Sequence, residues 1–578
     1  MISKNNINWK IGGEAGFGIK SAGMILAKIF MKAGYEVFDY TEYPSLIRGG
    51  HNTFQLTIDI KETNSVNARI DVLVALNQET IDLHHNELVD GGVIIYDQDK
   101  ITIKAKKYNP NINFIPLPLT TIAKLAGGDI MRNVVALGAT LALVGQDLTI
   151  ANQVVKENFK GKGKELVSSN LKALALGFKE LQNVYRQQFY CQLVSYKVNT
   201  NILISANEAT ALGALAAGLN FYAGYPMTPS SSILHYLAQV AEETGVVVKH
   251  AEDEISVINM ALGASVVGAR SMVATSGGGF SLMVEALGLA GITETPLVIV
   301  NSQRPGPATG LPTWTEQGDL QFVLRAAQGD FPRIILAPAD SIEAFYLAAE
   351  ALNLADIYQL PVIILLDKFI SEGDSTVPRF NVKKIKINRG RLLDLAQLKK
   401  IKNYQRYRLT ADGISPRTIP GMPGGLFNAN SDEHDSYGYT DESSANRKSQ
   451  VDKRQQKLNT FAAKMPLPII YGNPKAKKTV VFWGSTKGPI LDAYHQLSSK
   501  QQSKIRIMQL QYIWPFPRDF VGNILRSSKQ ILLVENNSNA QLGQLIAQET
   551  GMIIKNKLLK YDGRPFFREE LVVALSKI

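Results

Sequence analysis

The chain has 578 residues, 45% of them hydrophobic and 20% charged, with 46 glycines and a formal net charge of +11. At about 150 residues per domain this length predicts about four domains, and so ordinary a composition excludes wholesale disorder, collagen and coiled coil. The one cysteine, Cys191, excludes a disulfide, a structural zinc site or an iron–sulfur cluster held by this chain, since each needs several sulfur ligands. The start shows no signal-peptide core, and the most apolar run, Val134 to Val144, falls short of the ~20 residues of a membrane helix. A reduced, cytoplasmic protein is expected.

Residues 1–190 open with the strand-like INWKIGG, a glycine turn, an apolar-periodic stretch from Ser21 to Ala33, and a second strand, YEVFDY. The alternation continues through VLVAL, GGVIIYD and NFIPLP and predicts a parallel α/β sheet. The turn GGEAGFGIKS lies after a strand and before a helix, where backbone N–H groups bind anions, but it fits neither the Walker A spacing nor G-x-G-x-x-G. Gly16, Gly18 and Lys20, with Arg48 in PSLIRGGHN at the end of the second strand, form a candidate anion site. A turn that only packs helix on sheet would read the same way. His84 and His85 are the one histidine cluster, and neighbours on a helix do not share a face, so no metal site is expected.

From residue 195 the pattern restarts, and the near-continuous apolar runs of PLVIVNS and PVIILLD predict strands buried on both faces, up to residue 375. GYPMTPSS joins a strand to a helix, with Thr228 expected at the N-cap and Pro229 at N1. It is either a well-capped helix or, through Thr228, Ser230 and Ser231, a seat for a carboxylate or carbonyl oxygen whose approach Tyr225 and Pro226 fix. HAEDEISVINMALGAS puts Glu252, Asp253 and Glu254 before an apolar helix, where acids suit the macrodipole in any case. ATSGGGFSLM brings Gly277, Gly278 and Gly279 to a strand-to-helix turn, which lets backbone lie against a ligand or another chain. QRPGPATGLPTWTEQGDL places Arg304 at a strand's carboxyl end, with Thr309 and Thr313 on a rigid loop. Guanidinium binds carboxylate bidentately, and Thr228 and Arg304 mark the crevice where such sheets bind ligands.

Residues 376–470 lose this rhythm. Between Pro378 and Arg408 eleven Lys/Arg stand against one acid, Asp394, a balance of +10 that leaves the rest of the chain nearly neutral. A stretch rich in Gly, Pro, Ser, Asn and Asp follows, so the segment reads as a strap or linker. It lacks the interleaved aromatics of a nucleic-acid platform, and its charge suits a partner subunit or an acidic electron carrier instead. The rhythm returns at TVVFWGS, and residues 471–578 read as a third, smaller α/β domain.

In order along the chain, YPMTPSS, AEDEISVINMALGAS, ATSGGGFSLM, RPGPATGLPT, DGISPRTIPG and VENNSNAQLGQL followed by YDGRPF resemble one family. It is the α subunit of 2-oxoacid:ferredoxin oxidoreductases, in the form with the γ domain fused in front. The resemblance implies three α/β domains and a long irregular strap: residues 1–190 like γ, 195–375 like the pyrimidine-binding thiamine diphosphate domain, 376–470 the strap, and 471–578 like the transketolase C-terminal domain. Departures such as Y-P-M-T-P for Y-P-I-T-P, T-S-G-G-G for T-S-G-P-G and R-P-G-P-A-T-G for R-G-G-P-S-T-G bear on substrate preference more than on reaction type.

The implied reaction is oxidative decarboxylation of a 2-oxoacid with coenzyme A, giving acyl-CoA, CO2 and reduced ferredoxin. The resemblance gives Glu254, with Glu252 in reserve, the hydrogen bond to the aminopyrimidine ring of thiamine diphosphate. It gives Thr228, Arg304 and Thr313 the substrate's carboxylate and keto group, with Tyr225, Pro226 and Ser230 around them, and Gly277 to Gly279 the cofactor. Contact of coenzyme A with Gly16, Gly18, Lys20 or Arg48 is a further expectation. Because the chain contains no Gly-Asp-Gly, the family's mark of the diphosphate and Mg²⁺ site, these are expected in a β partner, which the resemblance implies also carries a [4Fe-4S] cluster. Whether 2-oxoglutarate, pyruvate or a broader set is preferred stays open, and a ferredoxin-independent thiamine enzyme is the alternative.

Overall fold

The strands Leu297–Gln303 and Pro361–Asp367 are buried along their whole length, as their uninterrupted apolar runs require. In the computed structural model, which describes residues 6–46, 49–103, 108–185, 189–193 and 200–578, they lie inside a seven-stranded sheet. Its order is 512–514, 334–336, 361–367, 297–303, 271–275, 221–224, 247–250. All neighbours are parallel except 512–514, which the C-terminal domain adds antiparallel to the edge. After strand 247–250 the chain crosses to the far side of 221–224, so the carboxyl ends of 221–224 and 271–275 flank a topological switch point.

The first domain builds an eight-stranded sheet in the order 113–117, 88–97, 70–75, 7–14, 51–59, 36–42, 374–377, 202–205. The first four strands are parallel, but His51–Asp59 runs antiparallel between 7–14 and 36–42, so the sheet is mixed rather than wholly parallel. HNTFQLTID alternates the fully buried Phe54, Leu56 and Ile58 with Thr53, Gln55 and Thr57, which are buried as well, Gln55 donating to the Asn67 carbonyl oxygen (2.7 Å). The last two strands come from either side of the second domain. Ile202–Ser205 pairs with Asp374–Val377, and Ser375 bridges to Phe38 of the first domain. Cys191 is buried, its thiol donating to the Asn6 carbonyl oxygen (3.1 Å). A five-stranded sheet (469–472, 505–510, 478–483, 530–535, 557–559) forms the C-terminal domain.

The strap lies on the second domain and is irregular up to Ser443, apart from short turns at 382–384 and 395–398. It then forms a 19-residue helix, Ser444–Ala462. SANRKSQVDKRQQKLNTFA has too few apolar residues to show helical periodicity; ion pairs hold it instead. Lys453 and Lys457, one turn apart, both reach the fully buried Glu294 at 2.5 Å. Arg406 donates to the Glu294 carbonyl oxygen (2.8 Å). Nearby, Asp356 gathers Arg389 and Arg417 at 2.6 Å and Arg270 at 3.6 Å. Part of the strap's charge is therefore internal, while Arg379, Lys383, Lys384, Lys386, Arg391, Lys399, Lys400, Lys402 and Arg408 stay exposed.

Burial pushes the Glu294 carboxyl up, but Lys453, Lys457 and Arg406 outweigh it and hold it well below the usual range. Its stabilisation is present above the unfolded value of about 4.3 and is lost as pH falls through the folded one. Glu294→Gln should cost about 3–5 kcal/mol by leaving buried cations uncompensated. Calorimetry should show the loss, protease should cut the strap first, and the acid-side slope of stability should flatten. Combined with Lys453→Met and Lys457→Met, Glu294→Leu should recover most of the loss.

Candidate active site at the carboxyl edge of the second sheet

Strands 221–224, 271–275 and 297–303 end side by side, and each runs into one of the expected motifs: Tyr225–Ser230, Ser276–Gly279 and Arg304–Asp319. Glu254 begins the helix Glu254–Val266, whose N-cap Asp253 accepts the Ser256 N–H at 2.8 Å. Glu254 is only 3% exposed, and its Oε1 is buried with no hydrogen-bond partner. The carboxylate packs against Gly279, where an added Cβ would overlap both Glu254 Oε1 and Thr275 Oγ1. Burial pushes this carboxyl up; its own backbone N–H and Arg304 oppose the shift and Asp253 adds to it. Glu252 faces solvent instead, accepting from Ser256 Oγ (2.6 Å), which lowers its pKa.

Arg304 is half-buried and donates from Nη1 to the Thr228 carbonyl oxygen (2.7 Å), across a cis Thr228–Pro229 peptide. Burial pulls its guanidinium down, and the Asp319 and Glu254 carboxylates pull it back up. Tyr225 and Pro226 lie exposed on the rim. The N-cap expected at Thr228 falls on Ser230, because the Ser230 N–H and Oγ both donate to the Met227 carbonyl oxygen (2.8 Å each) and close the turn first. The Ser230 hydroxyl is thus spent within the turn. Thr313 also departs from expectation: it is buried and donates to the Tyr43 carbonyl oxygen (2.5 Å), tying the Arg304 loop to the first domain rather than turning to the crevice.

The three glycines have separate uses. Gly277 meets the Asp319 carboxylate, a Cβ on Gly278 would meet only the Ala308 carbonyl oxygen (3.9 Å), and Gly279 makes room for Glu254. Sequence reasoning missed Asp319 and Glu316. Burial raises Asp319 to about 6 and Glu316 to about 7. An acid just before the helix Leu320–Arg325 reads as an ordinary cap, yet no side-chain cap bond forms there. Gln317 on the same loop explains VENNSN. It exchanges backbone and side-chain bonds with Asn536 (2.7 and 2.9 Å), accepts from Asn537 (3.1 Å) and donates to the Trp483 carbonyl oxygen (2.8 Å). Arg564 of YDGRPF covers the Trp314 ring at 3.4 Å.

In the first domain, Gly16 and Gly18 both take positive φ (92° and 72°), and Gly18 opens the helix Ile19–Lys32 with Lys20 exposed on its first turn. Ala15 donates to the Gly50 carbonyl oxygen (3.2 Å), so the two glycine turns meet. Arg48 lies outside the described residues. A partly buried chain, Lys10–Glu87–His84–His51, with links of 2.5, 2.7 and 2.9 Å, ends beside this turn; its two histidines come from distant segments. Among the described residues no group of three or more His, Cys, Asp or Glu is placed to hold a metal ion, and no helix is long and apolar enough to cross a membrane.

A buried carboxyl whose Oε1 has no partner, near enough to a guanidinium to feel its charge and at a switch point, is equipped to hold a proton next to an anionic substrate. Two family models match the chain: "Pyruvate ferredoxin/flavodoxin oxidoreductase" over residues 8–180, and the thiamine-diphosphate-binding domain of the pyruvate flavodoxin/ferredoxin oxidoreductases over 212–453. The chain is 33% identical to a 2-oxoacid:ferredoxin oxidoreductase subunit alpha from Sulfolobus, covering 99% of this chain and 97% of that one. Identity to the 2-oxoglutarate oxidoreductase subunit KorA of Mycobacterium tuberculosis is 30%, covering 98% and 90%. The solved 2-oxoglutarate:ferredoxin oxidoreductase of Magnetococcus marinus, with 2-oxoglutarate, coenzyme A and succinyl-CoA bound, matches with a TM-score of 0.92 and 30% identity over 100% of both chains. The chain belongs to the 2-oxoacid:ferredoxin oxidoreductase α-subunit family, and is part of an enzyme.

Gly279→Ala tests the packing that places Glu254. The displaced carboxylate should lower kcat about 10²-fold. Gly288→Ala, on the same helix and 3.7 Å from the Ala327 Cβ, should leave kcat near wild type. Equal activities of the two variants in a steady-state assay would show that the packing is immaterial.

Proposed function

We propose that this subunit, with a β partner, carries out oxidative decarboxylation of a 2-oxoacid with coenzyme A, yielding acyl-CoA, CO2 and reduced ferredoxin. The observation that carries this reading is Glu254 Oε1, buried, without a partner and packed on Gly279. Such an oxygen needs a hydrogen-bonding group from outside the chain, and the aminopyrimidine ring of thiamine diphosphate fits it. When bound, thiamine diphosphate supplies the nucleophilic carbon and the electron sink that decarboxylation requires.

In this reading Glu254 holds the proton at the aminopyrimidine ring nitrogen, and burial, which raises its pKa, favours the protonated form. Arg304 takes the substrate carboxylate, steadied by the Thr228 carbonyl, while Tyr225 and Pro226 wall the approach. Gly278, with open space before it, lets a ligand or the partner subunit reach the backbone. We assign residues 1–190 the γ role, 195–375 pyrimidine binding, 376–470 the strap and 471–578 the transketolase C-terminal role. Mg²⁺, the diphosphate site and a [4Fe-4S] cluster are assigned to the β chain.

The ligands of the Magnetococcus marinus enzyme support coenzyme A as co-substrate. The turn Gly16–Lys20, with Arg48, is our candidate for its anionic end. The same ligands, with the KorA names, favour 2-oxoglutarate over pyruvate. The exposed lysines of the strap suit an acidic ferredoxin, and a reduced cytoplasm suits the whole assembly.

Co-expression with the β subunit and a 2-oxoacid panel assayed with a viologen acceptor tests the reading. Glu254→Ala should abolish 2-oxoacid-dependent reduction with the complex intact, and Arg304→Ala should raise the 2-oxoacid KM about ten- to hundredfold. Full activity of Glu254→Ala would overturn the thiamine role.

A further inference from the structure

Arg304 is steadied by main chain rather than by a side chain, since its guanidinium donates to the Thr228 carbonyl oxygen (2.7 Å). Whatever holds that carbonyl therefore sets where the guanidinium stands. The turn 227–230 closes on itself through the Ser230 N–H and Oγ, both donating to the Met227 carbonyl oxygen, but bonds within a turn do not place it against the rest of the domain. The next carbonyl does. Asn207 Nδ2 donates to the Pro229 carbonyl oxygen at 2.7 Å and to Ser232 Oγ at 2.8 Å. A carbonyl oxygen can only accept, so Pro229 also fixes which way round the Asn207 amide stands. The consecutive carbonyls of Thr228 and Pro229 are thus each bonded to a different element, one to Arg304 and the other to Asn207.

Asn207 stands on a rigid base. It is the second residue of the helix Ala206–Ala216, whose N-cap Ser205 accepts the Glu208 N–H (3.3 Å). That helix lies so close to the helix Ser341–Tyr358 that a Cβ on Gly213 would overlap the Phe345 carbonyl oxygen. Just before it, strand Ile202–Ser205 is paired with Asp374–Val377 in the first domain's sheet. The Asn207 side chain is 0% exposed, and its Oδ1 is buried without a partner. A buried amide that uses its donors and leaves its acceptor unpaired is costly, and an apolar side chain of similar volume would avoid that cost. Such a side chain could not donate to Pro229.

We propose that Asn207 is a positioning residue for the substrate-carboxylate clamp: by holding the Pro229 carbonyl it sets the Thr228 carbonyl on which Arg304 rests, and so the point where the guanidinium meets a 2-oxoacid carboxylate. This rests on the reading of Arg304 as the clamp. Fully buried behind the turn, Asn207 acts on the substrate only through Arg304. Without its donor the Pro229 carbonyl, itself on a buried residue, loses its partner, and the turn shifts to recover one. A displacement of about 1 Å at a positioned group is enough to weaken substrate capture.

The test uses the αβ complex and its best 2-oxoacid. Asn207→Ala should raise the 2-oxoacid KM about tenfold, while kcat and the coenzyme A KM change by less than about twofold. Asn207→Asp keeps the shape but turns only acceptors toward Pro229, and should raise KM at least as much; it carries the comparison if Asn207→Ala does not assemble. Thr210→Val removes a different buried hydrogen bond of the same helix, Thr210 Oγ1 to the Ala206 carbonyl oxygen (2.7 Å), and should keep the wild-type KM and kcat. A double-mutant cycle ties the effect to the clamp: added to Arg304→Ala, either Asn207 variant should raise KM by less than about twofold more. A wild-type KM in the assembled Asn207 variants, or an equal rise in Thr210→Val, would overturn the proposal. If Arg304→Ala leaves KM unchanged, the clamp reading falls and the proposal with it; if Arg304→Ala raises KM and the Asn207 variant adds its full factor on top, only the role of Asn207 falls.

Discussion

The site depends on one packing constraint: the Glu254 carboxylate can stand in the crevice only because residue 279 has no side chain. Strand 271–275 and the helix after it bring that glycine to the first turn of helix 254–266, and burial there removes water from Glu254 without supplying a hydrogen-bond partner. An isolated buried carboxyl of this kind is costly to keep. The fold tolerates it where a ligand completes it, and the same burial raises its pKa.

The remaining architecture holds the other half of the site against this carboxyl. The loop 304–319 is fixed from three sides: Thr313 to Tyr43 of the first domain, Gln317 to Asn536, Asn537 and Trp483 of the third, and Asn301 and Gln303 to Asp319 beneath it. All the hydrogen-bonding groups of Gln317 that these bonds use point into one domain joint, so the loop and the C-terminal domain are set together. The strap acts at a distance, laid on the second domain by two buried acids, Glu294 and Asp356, each holding several cations. A Glu or Asp alone at these positions would be costly; ringed by Lys and Arg, each fixes where a segment without apolar periodicity must lie.

How much of this the sequence discloses depends on the kind of signal. Strands 297–303 and 361–367 are legible because burial on both faces leaves an unbroken apolar run, and Arg304 and Glu254 because their places beside a strand end and a helix start are local facts. Strand 51–59 shows its alternation of Phe54, Leu56 and Ile58 with polar residues but not its antiparallel place in the sheet, and helix 444–462 is not legible, since ion pairs to a residue 159 positions away hold it. The surroundings of Ser230, Thr313 and Asp319 are not legible for a related reason. Residue type shows that a hydroxyl or carboxyl is present, but whether it turns to a ligand, a turn carbonyl, another domain or a different helix is decided by tertiary neighbours.

The central claim is that Glu254 governs a proton at the cofactor. Its most direct measurement is the rate at which the thiazolium C2 proton of bound thiamine diphosphate exchanges for deuterium in the αβ complex, followed by quenched-flow NMR in wild type and Glu254→Gln. The account predicts exchange slowed about 10²- to 10⁴-fold in the variant with the cofactor still bound. Exchange at the wild-type rate in a fully loaded Glu254→Gln complex would contradict it.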